Sequence, residues 1–158
     1  MIKGIAIIGS GSFIASYIID ILKLDFELCL FGREKVADHN FEVFIYPDKL
    51  LDLSKLLEFE AIIFTAGAGI QNSLNESSDN VFYLNTFIPI QIINFLIANN
   101  YEGKFISFGS YFEIGDVERA QFFNEDQVAN SMNIVSNNYC ISKRLLTRYL
   151  NSLNKQIL

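Results

Sequence analysis

Short apolar runs alternate along this chain with stretches of helical period. Ile5-Ala6-Ile7-Ile8 is continuously apolar, as in a strand buried on both faces. Phe13 to Leu24 then repeats its apolar residues at helical spacing. Glu27 to Phe31 reads as a second strand, and the alternating Phe41 to Tyr46 as a third. Ser54 to Glu58 is expected to form a short helix with Ser54 as its N-cap. Ala61 to Thr65 is a fourth strand. Asp79 to Asn99 is a long helix that Pro89 should kink, because proline removes one backbone hydrogen bond. Lys104 to Phe108 is a fifth strand, and Asn138 to Leu153 a last helix. Between them, Glu113 to Ser136 is polar and irregular, with one helical turn near Glu125. Gln156-Ile157-Leu158 reads as the start of a sixth strand. Strands that alternate with helices imply an α/β fold, a doubly wound parallel sheet of Rossmann-like type.

Composition narrows the class. The 158 residues are 51% hydrophobic, enough for one globular domain spanning residues 1–158. The net charge of −6 argues against nucleic acid as a partner, since phosphate backbones need clustered Lys and Arg. Cys29 and Cys140 have no metal-ligand spacing and are expected as buried, reduced thiols. The lone His39 has no partners of its kind, so no metal is expected. Gly-Ser-Gly-Ser and Asp20 interrupt the apolar N-terminus, which therefore does not read as a signal peptide. No run is expected to reach bilayer-spanning length. A cytoplasmic protein with no membrane partner is the expectation.

Chemistry concentrates at the carboxyl ends of the strands, where ligands sit in this fold. Gly9-Ser10-Gly11-Ser12-Phe13-Ile14-Ala15 joins the first strand to the first helix. Gly9 and Gly11 can make the tight turn, and Ser12 and Ala15 are small enough for a pyrophosphate to approach. The helix N-terminus adds free N–H groups at Phe13 and Ile14. An ordinary strand-to-helix turn would read the same way. An acid at the end of strand two would hold the ribose hydroxyls of NAD. Here the sequence is Leu30-Phe31-Gly32-Arg33, and Arg33 can grip a 2′-phosphate instead. NADP(H) is therefore favoured over NAD(H), although a solvated loop arginine is the plainer alternative. Asp52 and Leu53, after strand three, are expected near the adenine.

With these residues in place, the chain resembles the extended short-chain dehydrogenase/reductase family of nucleotide-sugar epimerases, dehydratases and reductases. The likeness covers nearly all of the sequence. The family's Gly-x-x-Gly-x-x-Gly falls on Gly9, Ser12 and Ala15, so two glycines are replaced by small residues. Thr65-Ala66-Gly67-Ala68 is similar to its small-residue turn beside the cofactor, and Asn85 matches its helix-four asparagine. Ser110 falls at the catalytic serine, and Tyr139 and Lys143 on the Tyr-x-x-x-Lys pair. The resemblance implies that Tyr139, helped by the Lys143 ammonium, acts as acid or base near neutral pH. It implies that Ser110 donates a second hydrogen bond to the substrate oxygen, and that Lys143 also binds the nicotinamide ribose. Read without it, Tyr139 is equally a plain helix tyrosine.

The family's 4,6-dehydratases carry Asp-Glu directly after the catalytic residue. Tyr111 and Phe112 stand there, so a 4-reductase or epimerase is expected rather than a dehydratase. Glu113, one residue on, would need a different backbone path. The family also continues into a C-terminal lobe that binds the nucleotide sugar, so this chain is expected to be a fragment or a truncated form. Two other readings remain. One is a dinucleotide sensor without turnover. The other is a homologue acting through dimerisation, with the helices of Asn85 and Tyr139 pairing between copies. The face of Val81, Leu84, Ile88, Ile92 and Phe95 could serve that, or could face the sheet.

Overall fold

A computed structural model describes residues 4–36, 39–69, 75–117, 119 and 121–153. Five parallel strands form one sheet in the order β3-β2-β1-β4-β5. They are β1 (Gly4–Ile8), β2 (Glu27–Gly32), β3 (Asn40–Val43), β4 (Ala61–Phe64) and β5 (Lys104–Ser107). β1 sits at the centre, with Ile8 opposite Phe31 on one side and Phe64 on the other. The strand order reverses there, and ligands bind at such a reversal in open parallel sheets. The expected doubly wound Rossmann-like fold is the fold observed.

The described residues fall into two compact units. The first draws on Met1–Gly67 and Ile92–Phe108 and contains the whole sheet. Its core follows from β1's apolar run. Ile5 and Ile7 pack with Ala15 and Ile19 of helix α1 (Phe13–Leu22), and with Leu28, Leu30 and Ile63. Ala6 and Ile8 point to the opposite face and are fully buried as well.

The second unit draws on Ala68–Gln91 and Gly109–Gln156. It contains α2 (Ser78–Phe82), α4 (Glu125–Ala129) and α5 (Asn138–Ser152). It also contains a 3-10 turn, Tyr111–Ile114, so the stretch expected to be irregular is partly ordered. The helical turn expected near Glu125 is α4.

Three sequence expectations are corrected. The short helix after β3 is a 3-10 turn, Leu53–Glu58, and its cap is Asp52 rather than Ser54. The Asp52 carboxylate accepts from the Ser54 N–H and hydroxyl at 3.1 and 2.7 Å.

Pro89 does not kink a uniform helix. Instead α2 passes into a π turn (Tyr83–Phe87), followed by α3 (Ile88–Ala98). The Ile88 N–H donates to Tyr83 O, five residues back. A proline ring collides with the carbonyl four residues earlier, here that of Asn85, and a π turn relieves that collision.

The third correction concerns length. Ser78–Ala98 is helical over 21 residues with a mean hydropathy of 1.7 in its most apolar stretch, long and apolar enough to cross a bilayer. Its Val81, Ile88, Ile92, Ile93 and Leu96 are buried within the chain, the pattern of a core helix. The expected sixth strand at 156–158 lies outside the described residues. Cys29 and Cys140 are both free thiols; Cys140 is buried as expected, whereas Cys29 is only half-buried.

Candidate functional site

In the first unit, the loop after β1 is built by backbone contacts that leave no choice of residue. Gly9 has φ +94°, and a Cβ on it would lie 2.3 Å from the Ala66 nitrogen. Only glycine accepts both that angle and that approach. The Gly9 and Ser10 N–H groups both donate to Phe31 O, at 2.8 and 3.1 Å, tying the loop to the end of β2. The Thr65 hydroxyl donates to Ile8 O and Gly9 O at 3.0 Å each, tying it to the end of β4. Thr65 is a supporting residue, and nothing in its place at the end of a strand and start of a turn signals that role.

The rest of the loop opens outward. Nothing lies within 4 Å of a Cβ built on Gly11. Ser12 caps α1, its hydroxyl accepting from the Ala15 N–H at 3.2 Å. The N–H groups of Phe13 and Ile14 have no acceptor within the helix, which leaves them for an anion. Ala15, where the family pattern has its third glycine, is fully buried against the sheet. A single methyl group still permits that close packing. These features fit a dinucleotide pyrophosphate: a cradle that a Cβ would fill, open space beside it, and a helix N-terminus.

The other first-unit candidates are of mixed standing. Arg33 is exposed just past β2. Ala66 and Gly67 follow β4, and Ala66 packs on Gly9. Asp52 spends its carboxylate on Ser54, whose hydroxyl and N–H hold that carboxyl below its ordinary value. Leu53 begins the turn that Asp52 caps.

In the second unit, Tyr139 and Lys143 lie one turn apart on α5, on the same helix face, and both are half-buried. Burial pushes the Lys143 ammonium below its ordinary value, and the nearby Glu113 carboxylate acts in the opposite direction. Ser110 caps the 3-10 turn Tyr111–Ile114. Its hydroxyl accepts from the Phe112 N–H at 3.3 Å, while its own N–H donates to Glu113 Oε1 at 2.6 Å. With the oxygen engaged as acceptor, the hydroxyl hydrogen is free to donate to a substrate oxygen.

Glu113 is the residue the sequence reading set aside. It is 2% exposed, and the 3-10 turn is the backbone path that swings its carboxylate back onto Ser110. The Ser-x-x-Glu spacing of a capping box was the available signal. Arg144, from the same face of α5 as Cys140, binds the Glu113 carbonyl through Nε at 2.8 Å and through Nη2. That bond fixes the Ser110 turn against α5 beside Lys143.

Asn85 is fully buried in the π turn. Its side-chain oxygen accepts from the Ala68 N–H at 2.9 Å. Its nitrogen donates to Ala68 O at 2.8 Å and to Ser142 Oγ at 3.0 Å. Thr86 donates to Ser142 O at 2.7 Å, and Ser142 donates to Tyr139 O at 2.8 Å. A Cβ on Gly69, which has φ +86°, would lie 3.6 Å from Tyr139 Cβ. Asn85 thus acts on the chain itself, locking the Ala68 loop to the turn of α5 that carries Tyr139. The apolar face proposed for pairing is largely internal, since Val81, Ile88 and Ile92 are buried. What α2, the π turn and α5 expose instead is Tyr83, Phe87 and Leu145, with Tyr83 and Phe87 in edge contact at 5.4 Å.

Among the described residues no group of His, Cys, Asp or Glu could hold a metal ion. No family model and no curated protein matches the sequence. Solved structures do match. One is a UDP-N-acetylglucosamine 4-epimerase from Methanobrevibacter ruminantium M1 in complex with UDP-N-acetylmuramic acid, 20% identical with a TM-score of 0.74, covering 98% of this chain and 51% of that one. A second is a UDP-glucuronic acid 4-epimerase from Bacillus cereus in complex with UDP-glucuronic acid and NAD, 17% identical with a TM-score of 0.74, covering 98% and 54%. A third is an ADP-L-glycero-D-manno-heptose-6-epimerase from Helicobacter pylori, 16% identical with a TM-score of 0.70, covering 99% and 52%. The chain has the fold of one part of these epimerases and spans about half their length, as the resemblance to a cofactor-binding part implies.

Proposed function

We propose that this chain is the cofactor-binding part of a nicotinamide-dependent enzyme of the extended short-chain dehydrogenase/reductase type. The reaction is hydride transfer to or from a carbon that bears the carbonyl or hydroxyl of a nucleotide-linked sugar. The observation that carries the reading is the second unit's arrangement, in which the Ser110 turn, Lys143 and Tyr139 are tied together through Glu113, Arg144 and α5. Nucleotide-sugar epimerases are among the solved structures with this fold, which supports the substrate class.

A bound nicotinamide would supply or accept the hydride. The first unit's residues would hold the dinucleotide. Gly9 and Gly11 let backbone approach the pyrophosphate, and the first N–H groups of α1 face its charge. Arg33, Ala66 and Gly67 belong to the same proposed site. In the second unit, the Tyr139 hydroxyl gives a proton to the substrate oxygen in reduction and takes one in oxidation. Ser110 donates its free hydrogen to the same oxygen. Lys143 keeps positive charge beside Tyr139, favouring the phenolate that proton transfer leaves. Tyr111 and Phe112 offer no carboxyl group, and Glu113 is turned onto the Ser110 backbone, so dehydration is not part of the reading.

Arg33 favours NADP(H), and net reduction draws on NADPH. The Bacillus cereus epimerase carries NAD, which suits an enzyme that returns its hydride to the same substrate. The exposed Tyr83, Phe87 and Leu145 would suit a homodimer through these helices.

Turnover separates this reading from a sensor. The chain is mixed with NADPH or NADH and UDP-linked 4-ketosugars, and nicotinamide absorbance is followed. Oxidation that requires the ketosugar is the expected result. A chain that binds dinucleotide but oxidises none of it with any ketosugar would be a binding module instead.

A further inference from the structure

Two capping boxes in the second unit use different acceptors, and the choice runs against desolvation. On α4 the Asn124 N–H donates to Gln127 Oε1 at 2.9 Å. On the 3-10 turn Tyr111–Ile114 the Ser110 N–H donates to Glu113 Oε1 at 2.6 Å. Glutamine and glutamate both close such a box. Gln127 is exposed, whereas Glu113 is 2% exposed. Burying a carboxylate costs far more than burying an amide unless an opposite charge meets it. Capping alone therefore leaves the charge at position 113 unexplained.

The opposite charge is on α5. Lys143 is half-buried, and burial disfavours its ammonium. The Glu113 carboxylate acts on it in the opposite sense. Arg144, the next residue, ties this turn of α5 to the Glu113 carbonyl through Nε at 2.8 Å, and the Ser110 N–H fixes the carboxylate itself. Other titratable groups lie on the described elements packed against α5: Asp79 on α2, Tyr83 on the π turn, Tyr111 on the 3-10 turn, and Glu125 and Asp126 on α4. All five are exposed. α5 itself carries Tyr139, Cys140 and Tyr149 as well as Arg144 and Arg148. Among all of these Glu113 is the buried carboxylate.

We propose that Glu113 is a positioning residue of this site: its buried carboxylate, fixed on the Ser110 N–H, is the counter-charge that keeps the Lys143 ammonium charged beside Tyr139. The proposal rests on the hydride-transfer reading above and deepens it. One carboxylate then serves two members of the set, holding the Ser110 turn by a hydrogen bond and Lys143 by charge. Being buried, Glu113 acts through these residues rather than on a substrate.

Lysine side-chain carbon resonances of the labelled chain, followed against pH, test this without cofactor or substrate. The Lys143 signal is the one missing from Lys143→Arg. Glu113→Gln keeps an acceptor for the Ser110 N–H and removes the charge, so it should move the Lys143 titration to lower pH. A purely capping role would leave that titration in place. Glu113→Met fills similar space without charge and should move it the same way, so the result does not hang on one variant's folding. Asp79→Asn removes an exposed carboxylate from α2 and should leave it where it is. A Lys143 titration unmoved by either Glu113 variant, or moved as far by Asp79→Asn, would overturn the proposal. Where the chain turns over a ketosugar, its loss of activity at alkaline pH should shift with the Lys143 titration in Glu113→Gln. Absence of turnover would count against the hydride-transfer reading and leave the titration to decide this one.

Discussion

Gly9→Ala should abolish dinucleotide binding and destabilise the chain by roughly 3 kcal/mol or more, from backbone strain and overpacking together. Two independent obstacles meet at this residue. Its φ of +94° is disfavoured for any residue with a Cβ. The added carbon would also lie 2.3 Å from the Ala66 nitrogen and 2.5 Å from its Cα, inside backbone that cannot move aside cheaply. Relief would require parting the ends of β1 and β4, which the Thr65 hydroxyl holds together. Gly11→Ala is the control. Nothing lies within 4 Å of its Cβ, so the fold should be kept. Denaturant unfolding of both variants checks the contrast, with a large drop in midpoint for the first and little change for the second.

Tyr139→Phe should lower turnover by about 10²–10⁴-fold while leaving cofactor affinity unchanged. The substitution removes one oxygen and keeps the ring, and it leaves in place two contacts made by the residue's backbone and Cβ. Ser142 binds Tyr139 O, and Gly69 packs on the Cβ. The α5 turn should therefore be undisturbed and only proton transfer lost. Single-turnover cofactor oxidation, with binding measured in parallel, checks it. A variant that kept full turnover would remove Tyr139 from the chemistry.

Much of the fold is legible because β1, β2 and β4 are largely buried runs whose apolar residues have no other use. The helix at Phe13 was visible from its period. What stayed hidden depends on contacts between distant residues or on backbone detail. The π turn at Tyr83–Phe87 has the same composition as an α-helix, and only the proline collision signals it. Asp52 and Ser54 are both good caps, and the pattern pointed to Ser54 where the chain uses Asp52. The candidate site divides in the same way. Tyr139 and Lys143 are readable from spacing on one helix. Asn85 was legible as a residue but not as a clamp, because its partners Ala68 and Ser142 are far away in sequence. Glu113 carried a readable capping signal that its offset from the dehydratase pattern obscured.

The central claim is that the loop after β1 receives a dinucleotide. Backbone amide resonances of the labelled chain, recorded as NADP and NAD are added, test it most directly. The account predicts saturable shifts concentrated at Gly9 to Ile14, Arg33, Ala66 and Gly67. No shifts at dinucleotide saturation of a folded chain, or shifts confined to other residues, would contradict it.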